Sequence, residues 1–132
     1  STETPPDLVT EKEPNGTDAT AQNLGLLLLN RTTRITGSLD SGGFDGNSYL
    51  GDIDLYTFTL QDRANVQFTL DWNVSADVDL YVFSGNTIID KRNQNEDPID
   101  FTPALTPGTY TLLVVSADNA CDYQLEIITT PY

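Results

Sequence analysis

Hydrophobic and polar positions alternate with a period of two along most of the chain from residue 35 onward. In residues 53–60, large apolar side chains fall on one face and threonines on the other, and residues 66–72 repeat the alternation. Because successive side chains of a β-strand point to opposite faces, this period predicts strands with one face against a core. The short connection over residues 62–65 predicts that the two segments pair antiparallel as a hairpin.

The remaining segments with strand signals bring the prediction to roughly eight strands, and they cover residues 35–39, 78–83, 87–90, 99–102, 110–114 and 123–127. Turn residues such as Pro107-Gly108 separate them. Runs of helix-forming residues are almost absent, and only residues 17–23 allow a single helical turn. The pattern therefore predicts an all-β fold, an antiparallel β-sandwich.

The beginning of the chain differs from the rest. It is polar, contains Pro5-Pro6, and shows neither a strand period nor a helix period. We therefore expect residues 1–10 to be a flexible linker or tail, and residues 11–132 to form one domain.

Composition excludes several classes of function. The 132 residues include 20 Asp and Glu against 6 Lys and Arg, for a formal net charge of -14. Such a chain lacks the basic surface that nucleic acid or an anionic bilayer requires. It contains no His, which rules out Ser-His-Asp and Cys-His catalysis and His-bound zinc.

Cysteine content and the length of the apolar runs bear on two further properties, disulfide bonding and membrane insertion. The single Cys121 cannot form an intrachain disulfide and is predicted to be a small buried residue. The longest apolar run, residues 24–29, is interrupted by Gly25 and is too short to span a membrane. We expect a monomer without membrane insertion.

Two acidic segments contain candidate ligands for a metal ion. In an extended segment, Glu11, Glu13 and Asn15 point to one side, and Asp52 and Asp54 share a face where the strand of residues 53–60 begins. Oxygen ligands of this kind suit calcium. Two other interpretations stay open: solvated acidic loops of an acidic protein, and the paired carboxylates of a glycosidase, for which the sequence indicates no apolar cleft.

Several short motifs, in this order, resemble the bacterial pre-peptidase C-terminal domain over about residues 11 to 128. The N-terminal motif is Glu11-x-Glu13-Pro14-Asn15-Gly16-Thr17, and the others cover residues 35–39, 51–58, 76–82, 105–110 and 123–127. The resemblance implies a jelly-roll-like β-sandwich that is non-catalytic and is appended to secreted proteases or other exported bacterial proteins.

The resemblance also implies a calcium site. In related domains of bacterial collagenases, the Glu-x-Glu-Pro-Asn segment and aspartates of the following loop bind calcium and order the linker. Glu11, Glu13 and Asn15 match that segment residue by residue, and Asp54 matches the aspartate that opens the following strand. The predicted ligands are Glu11, Glu13, Asn15, Asp52 and Asp54. Two departures are Gly16, where relatives often carry Asp or Asn, and a longer loop over residues 40–51.

The sequence thus predicts a non-catalytic, calcium-stabilised accessory domain of a secreted, periplasmic or cell-surface bacterial protein. The alternative is a module that binds an extracellular polysaccharide or protein through an exposed sheet face. Trp72 and Tyr81 are candidates for an aromatic platform on such a face, although their strand positions favour core packing. The resemblance implies that collagen-binding members contact collagen with a tyrosine-rich sheet face. Because the corresponding strand after Gly108 offers only Tyr110, collagen is not the expected ligand.

Overall fold

The structure is a computed structural model and describes residues 7–17, 19–92 and 98–132. Within these ranges the chain forms thirteen β-strands and no helix. Two sheets enclose a common core, and a small hairpin lies outside them. The all-β sandwich predicted from the alternation is confirmed. In the described part of the chain, no helix has the length and apolar character needed to cross a membrane.

The first sheet, sheet A, has the strand order β1-β3-β13-β7-β10, with β11 also paired to β7. Its strands are β1 (Asp7–Thr10), β3 (Arg31–Leu39), β7 (Ala64–Trp72), β10 (Ile99–Phe101), β11 (Ala104–Leu105) and β13 (Cys121–Pro131). The C-terminal strand β13 lies in the middle of this sheet and pairs antiparallel with both β3 and β7.

The second sheet, sheet B, has the strand order β2-β6-β12-β8-β9. Its strands are β2 (Gln22–Leu26), β6 (Asp54–Leu60), β8 (Val78–Ser84), β9 (Thr87–Arg92) and β12 (Gly108–Ser116). The separate hairpin consists of β4 (Phe44–Asp45) and β5 (Ser48–Tyr49). Most pairs are antiparallel, but β1 pairs parallel with β3, and β2 pairs parallel with β6.

The structure of the N-terminal part of the chain differs from two predictions. Asp7–Thr10, predicted to lie in a linker over residues 1–10, form the edge strand β1, because β3 offers an unpaired edge and Val9 packs against the core. The remainder of that predicted linker lies outside the described residues. The helical turn expected within residues 17–23 is also wrong from Gln22 onward, where β2 begins and pairs with β6.

The predicted hairpin between β6 and β7 is wrong as well. Strand β6 pairs with β2 and β12 in sheet B, whereas β7 pairs with β10, β11 and β13 in sheet A. The short connection therefore crosses from one sheet to the other. Both strands face the same core from opposite sides, and the rings of Phe58 and Phe68 meet there at 6.1 Å between centroids. Alternation specifies the buried face of each strand but not its neighbour.

The core between the sheets contains the large apolar side chains that the alternation placed inward. Side chains with no exposed surface come from both sheets, and they include Ile35, Phe68, Leu70, Leu125, Tyr56, Phe58, Leu80 and Leu112. Trp72 is buried, and its indole N–H donates to the carbonyl of Ala76 at 3.0 Å. Cys121 is a buried free thiol, as predicted.

One end of the sandwich concentrates the acidic residues. Strands β6 and β8 begin at this end, and β3, β7 and β12 end there. The antiparallel pairing therefore brings the acidic segment around Glu11, the loop before Asp54 and the loop before Val78 to the same edge of the molecule.

Candidate metal centre

The segment after β1 connects the two sheets. The Glu11 N–H donates to the Thr36 carbonyl at 2.9 Å, which continues the pairing of β1 with β3 in sheet A. Four residues later, the Asn15 carbonyl accepts the Leu55 N–H at 2.9 Å, at the start of β6 in sheet B. The chain therefore crosses the end of the sandwich between these two points and carries its side-chain oxygens over the start of β6.

This crossing brings three carboxylates together. Glu11, Glu13 and Asp54 each offer an oxygen, and these oxygens all lie within 4.8 Å of one another. Glu13 is exposed, Glu11 is half-buried and Asp54 has no exposed surface. Carboxylates that are this close repel each other when they are ionised, so the arrangement favours a shared proton or a cation.

Hydrogen bonds fix the orientation of two of these carboxylates. Glu11 Oε1 accepts the Ser38 N–H at 2.8 Å, and Glu11 Oε2 accepts an N–H of the Asn15 amide at 3.3 Å. Asp54 Oδ2 accepts the Tyr123 hydroxyl at 2.6 Å. Two neighbouring buried oxygens, Asp54 Oδ1 and Asn15 Oδ1, have no hydrogen-bond partner. Unpartnered buried oxygens are costly, and here they belong to the side chains that surround the acidic group.

Two tyrosines support Asp54 from inside the core. Tyr123 lies on β13 in sheet A, and its hydroxyl is 2.6 Å from that of Tyr56, which lies on β6 in sheet B. Since Tyr123 donates to Asp54, its oxygen accepts from Tyr56. Gly37 makes room for this arrangement, because a Cβ there would lie 2.6 Å from Tyr123 Oη. Sequence analysis missed both tyrosines as supports of the site, because alternation marks them only as core positions.

Burial and mutual repulsion shift the pKa values of the cluster. Burial, followed by its contacts with Glu11, raises the pKa of Asp54 to about 10. A hydrogen bond with Glu11, followed by burial, raises the pKa of Glu13 to about 7. For Glu11, burial acts to raise the pKa, but hydrogen bonds with Asp54, Glu13, Ser38 and Asn15 outweigh it, so its pKa is lowered. The raised pKa values of Asp54 and Glu13 therefore favour retention of a proton within the cluster at neutral pH.

The other predicted ligands occupy different positions. Asn15 is fully buried beside Glu11. Asp52 stands apart from the three carboxylates, since its Oδ2 accepts the Asp40 N–H at 3.0 Å. Burial, and then the charges of Asp40 and Glu11, raise the pKa of Asp52, which remains close enough to act on the cluster through its charge. At Gly16, a Cβ would lie 3.1 Å from the Ile53 carbonyl oxygen, so a larger residue there requires a small shift of the neighbouring backbone.

The donor set suits a hard cation. All of its side-chain ligand atoms are oxygens, and three of the groups are carboxylates. The unpartnered Asn15 Oδ1 is available as one further ligand. Neither histidine nor cysteine takes part, so the set does not suit zinc or copper.

The fold and this acidic end define a small β-sandwich domain with a cluster of carboxylates at one end. Residues 52–116 match the family model of the bacterial pre-peptidase C-terminal domain. This match, together with the structural likeness described next, confirms the resemblance to this family of accessory domains that the sequence motifs indicated.

Solved structures support the same fold. The pre-peptidase C-terminal domain of collagenase from Bacillus anthracis is 21% identical, with a TM-score of 0.62, over 89% of this chain and 99% of that domain. PliG from Aeromonas hydrophila, a periplasmic inhibitor of g-type lysozyme, is 13% identical, with a TM-score of 0.50, over 83% of this chain and 97% of PliG. At these identities the likeness concerns the fold alone. No curated protein sequence is significantly similar to the chain.

Proposed function

We propose that this chain is a non-catalytic, calcium-stabilised accessory domain of a secreted, periplasmic or cell-surface bacterial protein. The observation that carries the proposal is the convergence of Glu11, Glu13 and Asp54, whose oxygens lie within 4.8 Å of one another. Two buried, unpartnered oxygens of Asn15 and Asp54 adjoin them. Glu11, Glu13, Asn15 and Asp54 are the residues that would hold the ion, and Asp52 would contribute its charge from a short distance.

The proposed role is to fasten the N-terminal segment to the sandwich. Bound calcium would supply the positive charge that offsets the repulsion among the carboxylates. Glu11 and Asn15 belong to the crossing segment, whereas Asp54 belongs to β6 and is anchored to β13 through Tyr123. One ion can contact ligands from both parts only when the segment is docked on the sandwich. Ion binding therefore adds to the folding free energy.

Thermal unfolding with and without calcium tests this role. The metal-depleted domain should gain several degrees in Tm with millimolar calcium and little with magnesium, since binding at one hundred times the Kd stabilises by about 2.7 kcal/mol. Glu13→Gln and Asp54→Asn should remove most of that gain. Asp45→Asn, an exposed acid of the β4–β5 hairpin, removes the same charge and should keep the gain. If both cluster variants respond to calcium like the parent, the site assignment is wrong.

A second candidate function is recognition of an extracellular polysaccharide or protein by the outer face of sheet B. The rings of Tyr81 and Phe83 lie stacked on that face, 6.3 Å apart. A shallow groove of about 190 Å³ beside them is lined by Leu55, Phe83, Leu113 and neighbouring polar residues. Aromatic faces flanked by polar groups are typical of such ligand sites.

Retention on insoluble polysaccharides and on collagen tests the second candidate. Phe83→Ala should lose retention on whichever polymer binds, while the core stays intact because Phe83 is only partly buried. Trp72 and Tyr110 are buried and cannot serve this surface. Absence of retention on every polymer would leave the domain with the stabilising role alone.

A further inference from the structure

Gln22 is a polar residue on the inner side of sheet B. It is the first residue of the edge strand β2 and pairs with Tyr56, which has no exposed surface and faces the core. Paired residues of neighbouring strands point their side chains to the same face, so Gln22 faces inward, as does Leu24 two positions later, which packs against the core. The Gln22 side chain therefore extends across the edge of the sandwich towards sheet A.

The Gln22 carboxamide makes two hydrogen bonds with the N-terminal segment. Its Nε2 donates to the Thr10 carbonyl at 3.0 Å, and its Oε1 accepts the Lys12 N–H at 2.9 Å. Thr10 and Lys12 flank Glu11, whose own N–H donates to the Thr36 carbonyl in the direction of β3. The carboxamide thus occupies the other, free edge of the segment, as a peptide group of a neighbouring strand would.

These bonds hold the backbone around Glu11 without the help of a cation. When Glu11, Glu13 and Asp54 are ionised, their repulsion favours release of the segment from the sandwich. Gln22 is uncharged and bonds to main-chain groups, so its contribution opposes that release whatever the charge of the cluster. Sheet A holds the segment through Thr36, and sheet B holds it through Gln22.

We propose that Gln22 is a positioning residue for the candidate metal centre: its carboxamide holds Glu11 and the residues that follow on the sandwich, with or without a bound ion. A ligand set that is gathered before the ion arrives binds it more tightly, because the apparent affinity falls with the fraction of chains in the competent conformation. This effect on calcium affinity rests on the proposed function, whereas the retention of the segment does not.

Proteolysis of the full chain in EDTA measures release of the segment. The chain has two lysines, Lys12 and Lys91, so endoproteinase Lys-C gives two cleavages that mass spectrometry distinguishes. Cleavage after Lys12 requires its backbone to leave Gln22, and the rate follows the released population. Gln22→Met keeps the length of the side chain but neither hydrogen-bonding group. It should raise the rate after Lys12 by roughly fivefold to tenfold and leave the rate after Lys91 unchanged.

A second variant and two controls accompany this measurement. Gln22→Glu keeps an acceptor for the Lys12 N–H but turns a carboxylate oxygen towards the Thr10 carbonyl, so it should also be cleaved faster after Lys12. Gln124→Met makes the same substitution at an exposed position of β13 and should keep the rate of the parent. Ile127→Val lowers the Tm through a small loss of core packing and should keep that rate too, which separates release of the segment from general loss of stability.

Calorimetric titration of calcium into the metal-depleted chain measures the effect on affinity. The Kd of Gln22→Met should be roughly twofold to tenfold higher than that of the parent, and the Kd of Gln124→Met should equal that of the parent. If the parent binds no calcium but Gln22→Met is cleaved faster after Lys12, the proposed function fails and the retention of the segment by Gln22 stands. The inference is overturned if folded Gln22→Met and Gln22→Glu are both cleaved after Lys12 at the rate of the parent, or if Gln22→Met binds calcium as tightly as the parent does.

Discussion

In the absence of metal, the free energy of unfolding should fall as the pH rises from about 5 to 8. The pKa of Glu13 is raised from 4.5 to about 7, so over this range the folded state keeps a proton that the unfolded chain releases. Stability from such a group is fully present below pH 4.5 and is lost as the pH rises through 7. Asp54, whose pKa is raised to about 10, acts with the same sign.

The size of this stability change follows from the pKa shift of Glu13 and from the exposure of its side chain. A pKa shift from 4.5 to about 7 corresponds to about 3 kcal/mol if it is fully expressed, at about 1.36 kcal/mol per unit. Glu13 is exposed, and solvent screening reduces its share to about 1 kcal/mol. For a domain of this size, that share corresponds to about 3–5 °C in Tm.

Urea unfolding in EDTA at a series of pH values measures the effect. The difference in the free energy of unfolding between the parent and Glu13→Gln should change by about 1 kcal/mol between pH 5 and 8. The free energy of unfolding of Asp45→Asn should follow a pH curve parallel to that of the parent. Calcium requires ionised carboxylates, so saturating calcium should remove or reverse the decline. A stability of the metal-depleted parent that rises with pH, or a Glu13→Gln curve parallel to that of the parent, would refute the reasoning.

Three further predictions concern the support of the site and the core. Gly37→Ala should destabilise the domain and weaken its calcium response, since the new Cβ would displace the Tyr123 hydroxyl from Asp54; thermal unfolding with and without calcium measures both. Tyr123→Phe should cost about 1–3 kcal/mol in urea unfolding, because Asp54 and Tyr56 lose a buried partner, and a cost near zero would contradict this account. Phe68→Ala, at a site with no exposed surface, should cost about 3–5 kcal/mol yet leave the calcium increment unchanged.

Local patterns determined much of the site. The alternation of Glu11, Glu13 and Asn15 and their family motif singled out the crossing segment, and the alternation from Asp54 onward singled out the start of β6. The fold brings Glu11, Glu13 and Asp54 together. Asp52 could not be distinguished from Asp54 by sequence, because only the folded loop directs its carboxylate to the Asp40 N–H.

The sequence by itself determined the fold class and the buried face of most strands, because a strand's period of two is a local property that each segment carries alone. Tertiary structure decided which strands are neighbours: β6 and β7 lie in different sheets, and Asp7–Thr10 join β3 as an edge strand. It also decided that Tyr123, 69 residues from Asp54 along the chain, supports that carboxylate. Such contacts depend on which distant segments meet when the core closes, and no local pattern records that choice.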